Sequence, residues 1–281
     1  MKRNLLLLVA IFIAGSMSAQ LYVGARVGYG FGAQKYAVGY TQTDDSRENI
    51  WGSMGQGLPM GLKLGYYFND NLGIELGVNY WIGAEQTAAD ISAKSYDIGL
   101  GLPVTEFTNI TTAKSSQLRI LPQLVYKSDM GIYGRFGMVI PVSGKTIVSS
   151  TTEFKLPVSG TPMKIEKETQ YKGTFAIGFA GAFGYAYELS DNMHLFGEME
   201  YISLTIKGKT SEITKSSTDG KDQLPSMDTY DKQTNYVDEL NSSSNNGAYN
   251  NNPDMTKAQD ELRTSTVYSS LRFNVGITMA F

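Results

Sequence analysis

The last fifteen residues of the chain, Val267 to Phe281, alternate apolar and polar side chains almost without error. A period of two predicts a β-strand, and an apolar face opposite a charge and an amide is typical of a wall between lipid and water. The predicted apolar face carries Val267, Leu271, Phe273, Val275, Ile277, Met279 and Phe281. The predicted polar face carries Ser270, Arg272, Asn274, Gly276, Thr278 and Ala280.

Seven earlier segments show the same alternation between turn residues, so the sequence predicts eight strands. Each has about the length, ~9 to 11 residues, with which a tilted strand crosses a bilayer. In the sixth strand, Phe179 and Phe183 share one face, whereas Ala180 and Gly184 share the other. The predicted strands span residues 21–31, 60–68, 72–82, 117–126, 131–142, 174–188, 194–205 and 266–281.

The connections between these strands sort into two lengths. Three are turns of a few residues, whereas the four others run through about 32–59, 83–116, 143–173 and 206–265. A compact soluble domain with four such loops would be unusual. Short turns on one rim and long loops on the other predict a membrane barrel with its short turns on the periplasmic side.

The long loops differ in composition. Thr146 to Leu156 and Met163 to Tyr171 predict a hairpin that continues the barrel wall beyond the membrane. The last loop, about 207–264, is predicted to be mobile, because its segment 241–252 is almost entirely Asn, Ser and Gly. Ten strands are the alternative to eight, if Ser95 to Leu102 and Thr105 to Thr112 cross the membrane.

The amino terminus predicts export. Lys2 and Arg3 precede an apolar run, Leu5 to Ala14, and a stretch of mostly small residues that ends at Ala19. This pattern is typical of a secretory signal peptide, residues 1–19, followed by a single domain, residues 20–281. Cleavage after Ser16 is the alternative to cleavage after Ala19, because Met17 is large for its position.

Composition narrows the class of protein further. The chain contains no cysteine, which excludes a disulfide framework and a lipid-modified cysteine anchor. It has no second apolar run of helical membrane-spanning length, so we expect no helical inner-membrane protein. The net charge of −3 gives no indication of nucleic-acid binding.

The eight alternating strands, three short turns, four long loops, export signal and terminal Phe281 resemble the small outer-membrane β-barrel proteins of the OmpA, OmpX and OmpW kind. The segment from Gln117 to Tyr126 and the Asn-rich loop are similar to the Bacteroidetes versions of this domain. The resemblance implies a closed antiparallel up-and-down barrel in the outer membrane of a Gram-negative bacterium, with both termini periplasmic. It implies little about activity.

The inward faces of the predicted strands carry charges of both signs. An eight-stranded barrel is just wide enough for side chains to fill, and buried charges need partners. We therefore predict a plug of ion pairs centred on Arg135, Glu198 and Glu200, with Arg272 and a Lys63 to Glu75 pair as satellites. A gated water or solute path through the same residues is the alternative. The whole predicted network is Arg26, Lys63, Glu75, Arg119, Arg135, Glu198, Glu200 and Arg272.

No catalytic, cofactor or metal site is predicted. His194 is the one histidine, and a metal site needs three or four clustered ligands. The glycines between Gly28 and Gly32 precede no helix, so they do not form a phosphate-binding loop. Acidic residues such as Asp44 and Asp222 lack the spacing of a calcium loop and are expected to be solvated.

Two functions fit these expectations. The first is a structural or surface-interaction role, in which the long loops contact lipopolysaccharide, a host surface or an extracellular ligand. The second, implied by the OmpW resemblance, is a conduit for small apolar molecules, with Trp51, Leu58, Trp81 and Leu102 lining a pocket. Expected partners are outer-membrane lipid and the barrel assembly machinery, which would bind a monomer through Ile277, Met279 and Phe281.

Overall fold

The computed structural model describes residues 21–34, 36–97 and 103–281. The predicted signal peptide, residues 1–19, and both of its cleavage sites lie outside these ranges. Two short helices occur in the described part of the chain, a 3-10 turn at Leu224–Ser226 and an α-helical turn at Thr229–Lys232. Neither has the length and hydropathy of a membrane span.

Eight antiparallel strands close into a barrel, in which each strand pairs with its neighbours along the chain and the last pairs with the first. The predicted closed eight-stranded barrel is confirmed. The ten-strand alternative is wrong, because the described parts of its two extra strands belong to a hairpin beyond the ring, in which Gln86–Tyr96 pairs with residues 104–113. The strands are β1 Leu21–Gly32, β2 Gly57–Tyr67, β3 Leu72–Gly83, β4 Val104–Lys127, β5 Ile132–Lys155, β6 Gly178–Ser190, β7 Met193–Ser203 and β8 Ser270–Ala280.

Alternation along each strand separates an apolar outside from a polar inside. Leu62, Phe136 and Phe183 are each more than 60% exposed on the outer surface, which is the reverse of a soluble core. Their neighbours in sequence point inward and are charged or small. The barrel therefore has an outward apolar band around a closely filled interior.

One rim is held by short turns. The Asn69 side chain accepts hydrogen bonds from the backbone N–H groups of Asn71 and Leu72, at 3.0 and 2.7 Å, which closes the turn between β2 and β3. Gly131 ends the turn between β4 and β5 at a φ of 83°, a conformation that favours glycine. We call this rim the short-turn end and the opposite rim the long-loop end.

At the long-loop end the sheet continues beyond the ring. Strands β4 and β5 are each 24 residues long, about twice the predicted length. The predicted hairpin beyond the membrane is present, since the upper part of β5 pairs with Pro162–Gly173. The predicted membrane-spanning strands, 117–126 and 131–142, stopped short because the segments beyond them are rich in Ser and Thr on both faces and lack the apolar alternation of a lipid-facing strand.

Further strands complete this extension. The predicted mobile loop, about 207–264, is not structureless, because Thr205–Thr218 pairs with Pro162–Gly173. Within it, Asn245 bonds through its side chain to the backbone of Asp254 and Ala258. The Asn-rich composition did not predict this structure, because side-chain amides hold the loop by hydrogen bonds and no apolar core is needed. The remaining strands are Tyr36–Gln42, Arg47–Gly52, Gln86–Tyr96, Lys221–Asp222, Gln233–Val237, Gln259–Leu262 and Ser265–Val267.

Two predicted strands are interrupted where the ring meets the extension. The sixth was expected to begin at residue 174, but β6 begins at Gly178. The eighth was expected to begin at residue 266, but Ser265–Val267 is a separate strand that pairs with Thr205–Thr218. Val267 is consequently buried and does not belong to the outward apolar face.

Candidate functional site

The lower lumen, the part nearer the short-turn end, contains a connected network of buried ion pairs. One terminal nitrogen of Arg135 bonds to the Glu75 carboxylate, and the other lies 2.6 Å from the Glu198 carboxylate. Arg26 lies 2.7 Å from Glu198 and 3.1 Å from Glu200. Lys63 lies 3.4 Å from Glu75. We call this network of three cations and three carboxylates the ion-pair plug.

Neutral side chains add hydrogen bonds to the plug. Tyr22 donates its hydroxyl to Glu75 at 2.8 Å, and Tyr133 donates to Glu198 at 2.7 Å. Asn274 donates to Glu198 at 3.0 Å. Buried charged groups that share several hydrogen bonds are held rigidly, and the loss of a partner would be costly. The charge pattern did not identify Tyr22 and Tyr133, although the period of two places both on inward faces.

Small residues on facing strands make room for the plug. Ala182 lies opposite Glu200 and Gly184 opposite Glu198 in the register of β6 and β7. A Cβ added at Gly65 would lie 2.0 Å from the ring of Tyr22, so only glycine lets that ring cross the lumen. Beside the plug, toward the short-turn end, the remaining cavity is about 50 Å3, which is room for a few water molecules.

Of the other two predicted charges, Arg119 lies apart from the plug and Arg272 lies at its edge. Arg119 lies over the ring of Trp81, 4.5 Å from its centre, and donates from Nε to Gln117 at 2.8 Å. Arg272 donates from Nε to Ser270 at 2.9 Å, and its nearest carboxylate, Glu200, is 3.8 Å away. All eight predicted lumen charges are buried, but only six of them form the plug.

An apolar layer covers the lumen on the side of the long-loop end. Trp81 is fully buried and contacts Tyr268 edge to face, with the ring centres 5.9 Å apart. The layer forms the floor of the space above it. Its buried members are Met54, Trp81, Ala113, Leu121, Val139, Ala180, Ile202, Leu204 and Tyr268.

Above this floor the extension encloses a cavity of about 830 Å3, which we call the vestibule. Ala113, Gln117 and Tyr268 line it from inside the wall. Tyr171 and Tyr236 stack in its wall, with their ring centres 6.3 Å apart. Burial beside Tyr236 raises the pKa of Tyr171 to about 12, so this hydroxyl stays neutral and able to donate.

The vestibule is open on one side. The ladder between β5 and β6 ends at Val139, and pairing of β5 on this side resumes only at Thr146. Pro141 lies in this gap and has no backbone N–H to donate to a neighbouring strand. Val142 and Phe175, which are exposed on the outer surface, line the same cavity as the inward residues. We call this gap, residues 140–145 facing 172–177, the side window.

The predicted apolar pocket is not formed by the residues named for it. Trp51 and Leu58 are about half exposed, whereas Trp81 is fully buried in the floor. Leu102 lies outside the described residues. Leu58 does not line a pocket, because it lies between two inward-facing residues of β2 and therefore faces outward. The cavity is lined instead by residues of the extension, which the apolar alternation did not reveal.

Comparison with known proteins places the chain in a family. The model of the outer membrane protein beta-barrel domain matches residues 5–235, most of the chain, and this family consists of barrel proteins rather than enzymes. No curated protein sequence gives a significant match.

Three solved structures are similar to this chain at low identity. OprG of Pseudomonas aeruginosa shares 10% identity, with 94% of this chain and 96% of that one covered and a TM-score of 0.40. CarO of Acinetobacter baumannii shares 13%, covering 92% and 97%, with a TM-score of 0.34. Neisserial surface protein A shares 10%, covering 93% and 97%, with a TM-score of 0.33. On the family match, the chain belongs to the outer membrane protein beta-barrel domain family and is a protein of the outer membrane.

Proposed function

We propose that this protein is a conduit that receives small, largely apolar molecules in the vestibule and releases them through the side window into the membrane. The observation that carries the proposal is the vestibule itself. Its lining combines inward residues such as Tyr268 with outward residues such as Phe175, so one cavity reaches both sides of the wall. Concave, mainly apolar spaces of this size are typical of small-molecule sites.

The width of the side window supports this route. Residues 140–145 of β5 have no ladder partner on this side among the described residues. Six residues of extended strand span roughly 20 Å. Unpaired backbone at membrane depth is tolerated only where it lines a cavity or is buried in protein. A gap at the upper edge of the apolar band therefore fits an exit toward lipid.

A sideways exit also agrees with the closed lower lumen. The ion-pair plug fills the barrel cross-section and leaves a cavity of about 50 Å3 on its far side. Solute moving straight through would have to break buried ion pairs, at a cost of several kcal/mol. Single-channel recordings test this directly: the protein should not conduct stably, and stable conductance that Glu198→Ala removes or enlarges would favour an axial path.

We propose that the short-turn end faces the periplasm and holds both termini of the exported chain. Lysines surround the vestibule and its window, and no carboxylate is among the residues that line it. Such a cationic rim matches the phosphate groups of lipopolysaccharide in the outer leaflet. The lysines are Lys145, Lys172, Lys207 and Lys209.

Labelling at the side window tests the conduit. Because the chain has no cysteine, Thr174→Cys creates a single attachment point at the window, and Val158→Cys creates a matched one at a tip residue that is 90% exposed. Proteoliposomes carrying the unlabelled protein should take up the apolar fluorophore N-phenyl-1-naphthylamine faster than protein-free vesicles.

A bulky maleimide on the Thr174→Cys protein should reduce uptake to the rate of protein-free vesicles. The same label on the Val158→Cys protein should leave uptake unchanged. If both labelled proteins transfer the fluorophore equally well, the side window is not the route.

A second candidate function, surface interaction, is favoured by the tip of the extension. A separate cavity of about 870 Å3 opens there, lined by charges of both signs that include Asp44, Lys94 and Glu153. Replacing residues 156–161 with Asn-Gly should keep the hairpin, since Lys155 pairs with Pro162. Cells with this change should lose adhesion to epithelial monolayers but retain fluorophore uptake; unchanged adhesion would remove the tip from consideration.

We further propose that the barrel assembly machinery recognises β8 through Ile277, Met279 and Phe281. These side chains are exposed on the outer surface, and the backbone N–H of Phe281 donates to Leu21 at 2.8 Å where the barrel closes. Deleting Phe281 should lower the amount of heat-modifiable barrel in the outer membrane. Tyr187→Ala, which removes another exposed aromatic residue, from β6, should have little effect by comparison.

A further inference from the structure

The buried charges of the barrel interior do not balance. Among the described residues, the buried ionisable side chains of the lumen comprise five cations and three carboxylates. The ion-pair plug uses all three carboxylates and three of the cations. Arg119 and Arg272, both fully buried, remain as an excess of two positive charges.

The plug does not neutralise this excess. Glu200 is the nearest carboxylate to Arg272, but the 3.8 Å separation is longer than a hydrogen bond. Its oxygens already face Arg26 at 3.1 Å and Asn274 at 3.4 Å. No carboxylate in the described chain lies within ion-pair distance of Arg119. A buried charge without a counter-charge is strongly unfavourable, so the fold as described calls for an anion.

The two guanidinium groups and the indole of Trp81 contain buried N–H donors that have no hydrogen-bond partner. Both terminal nitrogens of Arg119 and both of Arg272 are buried without a hydrogen-bond partner. The indole N–H of Trp81, whose ring packs against Arg119, is buried and unpartnered as well. Buried polar groups in native proteins nearly always have partners, so these five buried nitrogen atoms indicate a missing acceptor.

The two arginines are fixed at their Nε atoms, which leaves their terminal nitrogens available. Gln117 accepts from Arg119 Nε at 2.8 Å, and Ser270 accepts from Arg272 Nε at 2.9 Å. Trp81 packs against Arg119 and also contacts Tyr268, which lies two residues before Ser270, the hydrogen-bond partner of Arg272. A guanidinium group that is held at Nε and keeps its terminal N–H donors free is suited to binding an oxyanion.

We propose that Arg119 and Arg272 form a binding site for a small oxyanion, a carboxylate or a phosphate group, inside the barrel between the ion-pair plug and the vestibule. The guanidinium groups neutralise the charge of the ligand and bond to its oxygens, and Trp81 supplies one further N–H. Gln117 contacts Arg119 and also lines the vestibule, so the site adjoins the vestibule at Gln117.

Anion titration of the purified protein in zwitterionic detergent tests this site. Inorganic phosphate and acetate replace chloride at constant ionic strength, while calorimetry measures binding and a thermal scan measures the Tm. We expect saturable heat and a rise in Tm with at least one of the two probes. A response to phosphate alone identifies a phosphate site, and a response to acetate alone identifies a carboxylate site.

Variants locate the response. Arg119→Met and Arg272→Met each remove one guanidinium, and both should lose the saturable heat and the rise in Tm. Arg263→Met is the matched control, because Arg263 pairs with the exposed Asp238 in the extension; this variant should respond as the original protein does. Where a methionine variant fails to fold, glutamine at the same position replaces it.

Two results would overturn the proposal. One is the absence of saturable binding by the original protein with both probes. The other is an unchanged response in both the Arg119 and the Arg272 variants. The measurement does not involve solute transfer, so its outcome is independent of the conduit.

Discussion

The two halves of this molecule grow from the same strands but have opposite interiors. In the half nearer the short turns, every strand has a ladder partner on both sides, and eight inward faces converge on a filled lumen. In the half nearer the long loops, additional strands widen the wall and enclose a vestibule of about 830 Å3. The number of strands in the wall thus decides whether side chains can fill the interior. A wall of more strands has a larger circumference and leaves open space inside.

The halves also differ in how their charges are stabilised. Ion pairs in the plug are buried and share partners, whereas ion pairs of the extension, such as Lys155 with Glu106 at 2.5 Å, are largely exposed. Exposed pairs contribute little to stability, while breaking a buried pair leaves an uncompensated charge. This difference predicts very unequal responses to mutation.

The largest expected effect is in the plug. Arg135→Met leaves Glu75 and Glu198 without their shared partner and should reduce the free energy of unfolding by about 3 to 5 kcal/mol. Urea unfolding in lipid vesicles measures it. The control, Lys155→Met in the extension, should change the free energy by less than about 1 kcal/mol. Equal losses in the two variants would contradict the distinction between the halves.

A smaller loss in the free energy of unfolding is expected when a side chain is enlarged in the filled lumen. A Cβ added at Gly28 would lie 2.2 Å from the Asn274 side chain and 2.3 Å from the Phe273 backbone oxygen. Gly28→Ala should therefore cost about 1 to 3 kcal/mol, which is typical of overpacking. A Cβ at Gly197 meets nothing within 4 Å, so Gly197→Ala should be nearly neutral in the same unfolding measurement. If Gly28→Ala is equally neutral, the lower lumen is less tightly filled than described.

For a substitution in the vestibule wall we expect a smaller loss in the free energy of unfolding. Thr146 bonds through its hydroxyl to Ser115 at 2.6 Å and to Tyr268 at 2.9 Å. Thr146→Val should lower the free energy of unfolding by about 0.5 to 1.5 kcal/mol, the usual contribution of a hydrogen bond. Thr112→Val, on the outer face of the same sheet, is the control and should change it little. A loss as large as that of Arg135→Met would mean that the vestibule wall is as constrained as the plug.

The smallest effect is local to the last long loop. Hydrogen bonds from the Thr256 hydroxyl, with Lys257 nearby, lower the pKa of Asp254 to about 2. Because the folded pKa is below the ordinary value of about 3.9, the stabilisation is present above pH 4 and is lost as the pH falls toward 2. Carboxyl NMR titration should show a higher pKa for Asp254 in Thr256→Val. An unchanged titration would rule out this hydrogen bond as the cause.

Much of the barrel follows from alternation alone. A period of two is a local property, so residues such as Leu62 and Lys63 can be assigned to opposite faces without knowledge of their neighbours. The same period places Arg26, Glu75 and Glu198 on inward faces, because lipid outside leaves the lumen as their one favourable environment. Alternation fails for the upper parts of β4 and β5, where water and the vestibule make both faces polar.

The sequence by itself determined a closed eight-stranded barrel, its outward apolar band and the identity of the charges that face inward. Only the tertiary structure decided which of those charges meet, because partners such as Arg26 and Glu198 lie 172 residues apart in the chain and depend on barrel closure. It also decided where the wall opens, since the gap at Pro141 depends on how three separate segments pair. Local patterns fix faces, whereas contacts across the lumen depend on the register of every strand in the ring.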